Sequence, residues 1–455
     1  MSSRASQRIA IIGSGISGMA AGWYLSTQHE VTLFEAEGRL GGHTATMDVE
    51  VEGKAYAIDT GFIVFNDWTY PHFQRLLETL GVPSQVTEMS FSVHETDMDF
   101  EYNGHTLSSL FAQRRNLLSP RFYRLLRDIL RFNKQATADL ESKRLPSNMT
   151  LGEYLDLHGY GEAFQRRYLL PMGAAIWSAS IGDLRAFPLT FFVRFFRNHG
   201  LLSVNHRPQW HTLVGGSKSY IPNMTAPYAA RIHLNTPVTR IERDATGVMI
   251  TTAQGSQRFD HVVLACHADQ ALAMLGDPTP AEQDILAAMP YQDNEVVLHT
   301  DTSLLPRRQR AWASWNYRLD GRGADERVSV TYNMNILQRL EQADTTFCVT
   351  LNDSNSIDTS KVLGRYCYAH PQFTLEGQAA QMRHDEISSV ARRTHFCGAY
   401  WRNGFHEDGV WSALRVAQAL GCDEAAEPPS TPTALPAHDL MPTNSIGNSI
   451  GEGLG

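Results

Sequence analysis

A glycine-rich segment near the N-terminus constrains the fold more than any other part of the chain. The apolar run Ile9-Ala10-Ile11-Ile12 is followed directly by Gly13-Ser14-Gly15-Ile16-Ser17-Gly18. This pattern predicts a buried strand, a tight turn at Gly13 and a helix whose free N–H groups and positive dipole end face phosphate groups. Gly15 would let the backbone approach a diphosphate, and Gly18 would let the helix pack on the strand. The segment therefore predicts a dinucleotide site rather than a glycine-rich turn without a ligand.

The residues that follow distinguish between dinucleotides. Val31–Phe34 predicts a second strand, and Glu35 ends it at the distance from the glycines where an acid binds the ribose hydroxyls. In the next loop, Arg39 can pair with phosphate oxygens, and Gly41-Gly42 allows a second backbone segment beside an extended diphosphate. A nicotinamide enzyme has no evident need for this loop, so it favours FAD over NAD.

A second motif of the same kind lies near the C-terminus. It consists of Phe396-Cys397-Gly398-Ala399-Tyr400 and Gly404-Phe405-His406-Glu407-Asp408-Gly409. Two distant segments that complete one nucleotide site indicate a buried FAD. The chain is therefore predicted to be a flavin enzyme.

These motifs resemble those of the flavin amine oxidase superfamily, which includes protoporphyrinogen oxidases and phytoene-desaturase-like enzymes. The resemblance covers the N-terminal 65 residues or so, a middle stretch and the C-terminal motif. Within the superfamily, the chain is similar to a bacterial subgroup of NAD/FAD-binding proteins. Gly41-Gly42-His43-Thr44, Asp59-Thr60-Gly61-Phe62 and the C-terminal motif carry that closer similarity.

The resemblance implies an α/β fold in which a discontinuous, Rossmann-like FAD-binding domain accompanies an α+β substrate domain, as in amine oxidases. It implies a Gly215-Gly216-Ser217 turn near the substrate cavity, a strand over 235–241 whose backbone contacts adenine, and a closing strand over 261–266. The expected limits are 1–65, 205–285 and 390–425 for the FAD-binding domain, 66–204 (helix-rich) and 286–389 for the substrate domain, and 426–455 for a disordered tail.

The resemblance also implies cofactor contacts. Gly398 is expected to begin a turn near the ribityl side of FAD, and Asp408 and Gly409 are expected to start a helix over 410–420 whose amides face the flavin carbonyl. An ordinary acid-capped helix is the alternative. Asp59-Thr60-Gly61 is expected beside the flavin, although it is also an ordinary turn sequence. The expected FAD contacts are Gly13, Ser14, Gly15, Ile16, Ser17, Gly18, Glu35, Ala36, Arg39, Gly41, Gly42, His43, Thr44, Thr60, Gly61, Phe62, Val238, Gly398, Asp408, Gly409 and Val410.

Two residues are candidates for catalysis. His406 could orient a substrate or act as a base near neutral pH, or it could be a structural histidine. Many superfamily members use a lysine to hold a water against the flavin, but the aligned stretch 291–300 has none. Lys218, next to the Gly-Gly-Ser turn, is the remaining candidate, with a surface position as the alternative. An aromatic wall of the cavity, or simply core packing, is expected of Tyr366, Tyr368, Tyr400 and Trp401.

The missing lysine weakens the case for oxygen-dependent amine oxidation and leaves hydride removal intact. We therefore predict an FAD-dependent oxidoreductase of the amine-oxidase type. The alternatives are a desaturase or oxidase of a fatty-acyl or other lipid chain, and a non-catalytic FAD-binding redox or interaction protein. No cysteine occupies the position where some members attach flavin, so FAD is expected to be bound non-covalently.

Composition limits the remaining classes of function. The chain has 455 residues, 42% of them hydrophobic, enough for two cores. A net charge of −9 argues against nucleic-acid binding. The five cysteines form no Cys-x-x-Cys pair, which favours reduced thiols and a cytoplasmic location, with no metal site.

Membrane contact is an alternative interpretation for only one segment. No apolar run of about 18 residues occurs, so a spanning helix is not expected. The segment 187–197 combines aromatic pairs with arginines, and it suits either core packing, which we favour, or contact with a membrane surface. The predicted partner is a small-molecule or lipid substrate, and the oligomeric state is left open.

Overall fold

The computed structural model describes residues 5–146, 148–177, 179–203, 207–320 and 329–422. Elements are numbered in chain order. The strands are β1 (Arg8–Ile12), β2 (Glu30–Phe34), β3 (Thr46–Val51), β4 (Lys54–Asp59), β5 (Val64–Asn66), β6 (Ser84–Thr87), β7 (Phe91–Glu95), β8 (Phe100–Asn103), β9 (Trp210–Leu213), β10 (Ile232–His233), β11 (Val238–Asp244), β12 (Gly247–Thr252), β13 (Gly255–Phe259), β14 (His261–Leu264), β15 (Tyr291–His299), β16 (Trp315–Leu319), β17 (Ser329–Asn333), β18 (Cys348–Leu351), β19 (Val362–Pro371) and β20 (Thr394–Phe396).

The helices are α1 (Ile16–Leu25), α2 (Pro71–Thr79), α3 (Leu107–Leu110), α4 (Pro120–Glu141), α5 (Leu151–Leu157), α6 (Glu162–Phe164), α7 (Leu170–Trp177), α8 (Ile181–Ala186), α9 (Leu189–Asn198), α10 (Ile221–Thr225), α11 (Ala268–Met274), α12 (Pro280–Ala287), α13 (Met334–Leu337), α14 (Leu375–Gln381), α15 (His384–Ile387) and α16 (His406–Ala419).

A five-stranded parallel sheet, in the order β10-β2-β1-β14-β20, forms the first half of the fold. Its central strand β1 is buried on both faces. Ile9 and Ile11 pack with apolar side chains of α1 and α16, whereas Ala10 and Ile12 pack with those of β11, β12 and α12. Burial on two faces explains why β1 is a continuous apolar run rather than an alternating one. The predicted strand, turn and helix at the N-terminus are confirmed.

A seven-stranded sheet, in the order β19-β15-β18-β17-β16-β7-β8, forms the second half. Its pairs are antiparallel except for β16 with β7. The predicted fold class, an α/β nucleotide-binding part with an α+β part, is confirmed. The strands of the two large sheets come from the chain segments predicted for the two domains, but the small sheet β5-β9-β6 combines strands from three of those segments. The domain limits remain a prediction.

The apolar spacing over 120–140 predicts a helix with Phe122, Leu125, Leu126, Ile129 and Leu130 on one side. Helix α4 confirms this prediction, with one correction to its buried face. Phe122 and Leu125 are buried, and Leu126 and Ile129 are half-buried, as expected. Leu130 was expected on the same face but is 57% exposed. The buried stripe continues instead through Phe132, which lies closer to the direction set by the helical repeat from Leu125.

The aromatic helix α9 belongs to the core. Phe192, Phe195 and Phe196 are buried, and the rings of Phe192 and Phe196 stack with centroids 4.1 Å apart. Trp177 packs on the same face, 4.7 Å from the ring of Phe195. The apolar face of α9 is therefore already covered by protein, and core packing is the correct interpretation of this segment.

Other expectations concern membrane spans, thiols and the tail. Within the described ranges, no helix has the length and apolarity needed to cross a bilayer. No disulfide links the five cysteines, all of which lie in the described ranges, and three of them, Cys348, Cys397 and Cys422, are buried. The predicted disordered tail over 426–455 lies outside the described residues.

Candidate flavin site

A cavity of about 1330 Å³ extends from the parallel sheet to the seven-stranded sheet. At one end it is lined by Gly13, Ser14 and Gly15, which follow β1, and by Glu35, which follows β2. At the other end it is lined by side chains of the helices that cover the second sheet. We call the end lined by the Gly13–Gly15 loop and Glu35 the nucleotide end. It lies where parallel strands finish, which is where open α/β sheets bind ligands.

Glu35 is fixed in place by the glycine-rich loop. One carboxylate oxygen accepts hydrogen bonds from the backbone N–H of Ser14 (2.8 Å) and from its hydroxyl (2.5 Å). The other oxygen accepts from the N–H of Glu37 at 2.9 Å. The backbone N–H of Gly41 donates to the carbonyl of Ser14 at 3.1 Å, which joins the two loops. The acid and both glycine loops therefore form one rigid rim of the cavity.

The glycines of this rim play different physical roles. Gly13 has a φ of 100°, and a Cβ there would lie 2.8 Å from the carbonyl oxygen of Ala265. At Gly18 a Cβ would overlap the carbonyl of Gly13. At Gly15, by contrast, a Cβ would meet no protein atom within 4 Å, although this residue lines the cavity. Gly13 and Gly18 thus serve the fold, whereas the space at Gly15 is available to a ligand.

This end of the cavity fits the diphosphate of FAD. Helix α1 begins at Ile16, and no described side chain caps its N-terminal N–H groups. Arg39 adds positive charge at the rim, and its guanidinium donates to the carbonyl of Gly42 at 2.9 Å. Uncapped amides at a helix N-terminus together with a guanidinium are suited to binding phosphate groups. Of the predicted FAD contacts, the cavity lining includes Gly13, Ser14, Gly15, Ile16, Ser17, Glu35, Ala36, Arg39, Gly41, Gly42, His43, Thr60, Gly61, Phe62, Val238 and Gly398.

The segment predicted to contact adenine forms a strand that begins later than expected. Strand β11 starts at Val238 rather than at Asn235, because Asn235 has a φ of 50°. The N–H of Asn235 donates to the carbonyl of Glu37, and that of Thr236 donates to the carbonyl of Glu35. These bonds hold the segment beside Glu35, and Val238 lines the cavity.

The C-terminal motif differs from the expectation in where its helix starts. Helix α16 begins at His406 rather than at 410. Asp408 caps it by accepting from the N–H of Phe405 (3.0 Å) and of Asn403 (3.2 Å). A Cβ at Gly409 would lie 2.7 Å from Cγ2 of Ile16, so this glycine permits close packing of α16 on α1.

Several predicted contacts therefore lie behind the cavity wall. Asp408, Gly409 and Val410 are buried and are not among its lining residues, which include His406 of the same helix. Gly18 packs on Gly13, and Thr44 is also buried outside the lining. Asp408 therefore fits the alternative given in the sequence analysis, in which it caps an ordinary helix.

His406 lies in an aromatic and hydroxyl environment. Its ring stacks on Phe62, with centroids 3.5 Å apart. Its Nε2 lies 3.1 Å from both the Thr44 hydroxyl and the Tyr220 hydroxyl. Burial lowers the pKa of His406 to about 3. The imidazole is therefore neutral at neutral pH and is held in one orientation.

A group of three histidines was not predicted as a unit. The ring of His43 lies 5.2 Å from that of His370 and 6.1 Å from that of His267, and all three line the cavity. Burial, followed by the neighbouring His370 and His267, lowers the pKa of His43 well below its usual value. Its Nε2 is buried and has no hydrogen-bond partner among the described residues, so it is available to a ligand in the cavity. The one available signal was the position of His267, just after the carboxyl end of β14.

Within the described ranges, no three or more histidine, cysteine or acidic side chains are arranged to hold a metal ion.

The end of the cavity remote from the glycine loops is apolar. Met172, Ile176 and Trp177 of α7 line it, as does Phe195 of α9. The predicted aromatic wall is present in part. Tyr366, Tyr368 and Tyr400 are lining residues, whereas Trp401 is buried outside the cavity, where its ring packs on His384 at 4.5 Å. The hydroxyl of Tyr368 lies 2.8 Å from that of Thr60, which links this wall to the loop after β4.

The Gly215-Gly216-Ser217 turn and Lys218 do not line the cavity, contrary to expectation. The turn is held by Asp59, which accepts from the N–H of Ser217 at 2.8 Å and from its hydroxyl at 2.9 Å. Burial raises the pKa of Asp59 to about 6. The ammonium of Lys218 pairs with Asp48, whose side chain is 74% exposed. Lys218 is therefore a surface residue, and we assign it no catalytic role.

Replacing Lys218 with alanine tests this correction. Because an exposed ion pair contributes about 1 kcal/mol or less, we expect the free energy of unfolding to change by no more than that. Flavin content and the rate of flavin reduction should remain within roughly twofold of the unsubstituted protein. A loss of turnover with retained flavin would show that the lysine acts in the reaction.

Comparisons with known proteins agree with this geometry. Residues 16–331 match the family model described as flavin containing amine oxidoreductase. The Mycobacterium tuberculosis protein named "Putative flavin-containing monoamine oxidase AofH" is 27% identical over 291 residues. That alignment covers 61% of this chain and 61% of the relative's own length.

Solved structures share the fold across nearly the whole chain. Cyclohexylamine oxidase from Brevibacterium oxydans superposes with a TM-score of 0.65 at 17% identity, covering 91% of this chain and 99% of its own. A fatty acid isomerase from P. acnes gives 0.66 at 17% identity, covering 90% and 98%. The family match implies FAD, bound non-covalently, as the cofactor. The chain belongs to the flavin-containing amine oxidoreductases.

Proposed function

We propose that this protein is an FAD-dependent oxidoreductase that removes hydride from a substrate C–H bond. The observation that carries the proposal is the continuity of one cavity from the Gly13–Gly15 loop to the apolar side chains of α7. A ligand as long as FAD, bound at the glycine loops, would leave the apolar end for a second molecule. Bound flavin supplies the hydride acceptor.

In this proposal, the residues of the chain bind the cofactor, orient the substrate and exclude water. The loop Thr60–Phe62 and the turn at Gly398 line the cavity between its two ends, where they would contact the ring system. His406 stays neutral and stacks on Phe62, so we propose that it positions this loop rather than transferring a proton. The unpartnered Nε2 of His43 is the atom we propose for hydrogen bonding to the cofactor or the substrate.

The apolar end also bears on the class of substrate. The acidic residues in the cavity lining are Glu35 and Glu37, both at the nucleotide end, and Asp293 on β15. Few carboxylates are thus available to hold a cationic amine. An apolar chain needs positioning more than acid and base catalysis for hydride removal. Oxidation or desaturation of an acyl or other lipid chain is therefore our second candidate, beside oxidation of an amine.

Anaerobic flavin reduction distinguishes these functions. The purified protein should carry the flavin absorbance bands, and a true substrate should bleach them in the absence of oxygen. Bleaching by amines alone supports the amine-oxidase proposal, and bleaching by unsaturated or methyl-branched acyl lipids supports the lipid proposal. If no member of either panel reduces the flavin, while dithionite does, the non-catalytic alternative replaces both.

Replacing Ile176 with aspartate should interfere with substrate binding alone. This side chain lines the apolar end, so a carboxylate there would have to be desolvated by an apolar substrate. We expect the KM for an apolar substrate to rise by roughly two orders of magnitude, with flavin content unchanged. Ile176→Val is the matched control and should change KM by no more than about tenfold. Equal KM values for the aspartate and valine variants would place the substrate elsewhere.

A further inference from the structure

One surface of the second half combines exposed leucines with arginines. It is formed by α3, the 3-10 turn Arg114–Leu118 and the first turns of α4. We call it the arginine–leucine surface and define it by Met98, Leu107, Leu117, Leu118, Tyr123, Leu130, Arg114, Arg115, Arg121, Arg124, Arg127 and Arg131.

The apolar residues of this surface are exposed far beyond what is usual for their type. Leu118 is 89% exposed, Leu107 is 78% exposed, and Leu130 and Met98 are 57% and 56% exposed. Clusters of large exposed apolar side chains mark sites of contact with another molecule or a membrane. Isolated exposed leucines are ordinary, but here they recur along one continuous segment.

The charge of the surface is opposite to that of the whole chain. Residues 97–134, which span this surface, contain seven lysines and arginines and four acidic residues, Asp97, Asp99, Glu101 and Asp128, whereas the net charge of the chain is −9. Asp128 is buried, 3.8 Å from the guanidinium groups of Arg127 and Arg131. Among the described residues, Arg114, Arg121 and Arg124 have no ion-pair partner. Three arginines are therefore free to neutralise an anionic surface.

The parts of this surface are held together. Met98, Arg115, Leu118 and Arg121 line one cleft of about 260 Å³. The hydroxyl of Tyr123 donates to the carbonyl of Leu117 at 3.0 Å. Beneath them, Phe111 and Phe122 pack with ring centroids 5.6 Å apart. The leucines and arginines are thus presented by a packed scaffold.

We propose that the arginine–leucine surface docks on a bilayer of anionic phospholipid. The leucines, Met98 and Tyr123 would enter the interface, and the arginines would contact lipid phosphates, as in interfacial amphipathic helices. Gly104 and His105, directly before α3, line the large cavity. The docked face therefore adjoins one edge of that cavity, independently of which substrate the enzyme uses.

Vesicle binding tests the proposal with the full FAD-loaded chain. Co-sedimentation with vesicles of phosphatidylcholine and phosphatidylglycerol should show binding that disappears with phosphatidylcholine alone and weakens with salt. In Arg121→Gln/Arg124→Gln, we expect the partition coefficient to fall by about 30-fold, since each basic residue near the surface contributes a several-fold factor. Leu107→Ser/Leu118→Ser should weaken binding at every salt concentration, because the burial it removes is apolar.

The matched control is Met382→Ser/Arg392→Gln, which changes an 87% exposed methionine and an exposed arginine outside this surface. It should bind vesicles like the unsubstituted protein. Flavin spectrum and thermal midpoint should be the same in all variants, which separates docking from folding and from flavin binding. Failure to bind anionic vesicles, or equal binding by all variants, overturns the proposal. So does binding to an acidic protein or nucleic acid that the same substitutions abolish while no vesicle binding is seen.

Discussion

The Gly15→Val protein is expected to fold normally and to purify without flavin. A Cβ at Gly15 meets no protein atom within 4 Å, and the residue has an extended backbone with φ −62° and ψ 175°. Valine is therefore compatible with the fold at this position. Its side chain would occupy the space through which a diphosphate reaches the uncapped N-terminus of α1. Each lost hydrogen bond to a charged phosphate costs about 1.5–3 kcal/mol, so we expect FAD affinity to fall by at least about 100-fold.

Substitutions at two other glycines serve as controls for this result. Gly104 also has no protein atom near a built Cβ and lies far along the cavity lining, so Gly104→Val should retain flavin. A Cβ at Gly18 would overlap the carbonyl of Gly13, so Gly18→Val should fail to fold rather than lose only flavin. Flavin absorbance per protein and the midpoint of urea unfolding measure the two effects separately. A yellow Gly15→Val protein with unchanged affinity would remove the glycine loop from the cofactor site.

The nucleotide end could be predicted because its determinants are local. The strand β1, the turn at Gly13 and the helix α1 are consecutive in the chain. Gly13 meets a backbone requirement and Gly18 a packing requirement that other residues meet less well, whereas Gly15 leaves space for a ligand. The start of α16 was missed for the opposite reason. Asp408 suits either the start of a helix or a capping position within its first turn, and the hydrogen bonds to Phe405 and Asn403 decide between them.

Groups assembled from distant segments could not be predicted from the sequence. His43, His267 and His370 come from three separate parts of the chain and meet only because β14 and β19 end near the loop after β2. Lys218 illustrates the same limit of prediction from sequence. Its neighbour in sequence is the Gly-Gly-Ser turn, but Asp59 fixes that turn away from the cavity, and Asp48 pairs with the lysine.

Stability is expected to fall steeply below pH 6.5 because several histidines are buried in neutral form. Burial lowers the pKa of His199, His299 and His370 to about 4, and that of His395 and His406 to about 3. The unfolded chain takes up protons on these groups as pH falls through about 6.5, whereas the folded protein does not. Their stabilising contribution is therefore complete above pH 6.5 and is lost as pH falls towards their folded pKa values.

Two buried acids oppose this trend without reversing it. Burial raises the pKa of Asp59 and of Asp408 to about 6, so the folded protein binds protons there before the unfolded chain does. These acids favour the folded state as pH falls from 6 to about 4. The histidines named above outnumber the two acids, so the expected net effect remains a loss of stability as pH falls from 6.5 towards 5.

A single histidine remote from the cavity isolates the cause. His299 does not line the cavity, its Nε2 lies 2.7 Å from the Thr350 hydroxyl, and its Nδ1 accepts from the N–H of Asp301 at 3.0 Å. His299→Gln removes one titrating group, so the slope of unfolding free energy against pH near pH 5 should decrease by about 1.4 kcal/mol per unit. The unsubstituted protein provides the reference slope. Urea unfolding of the FAD-loaded protein between pH 7 and pH 5 measures both slopes. Constant stability over that range would mean that these histidines are protonated in the folded protein, in conflict with their burial.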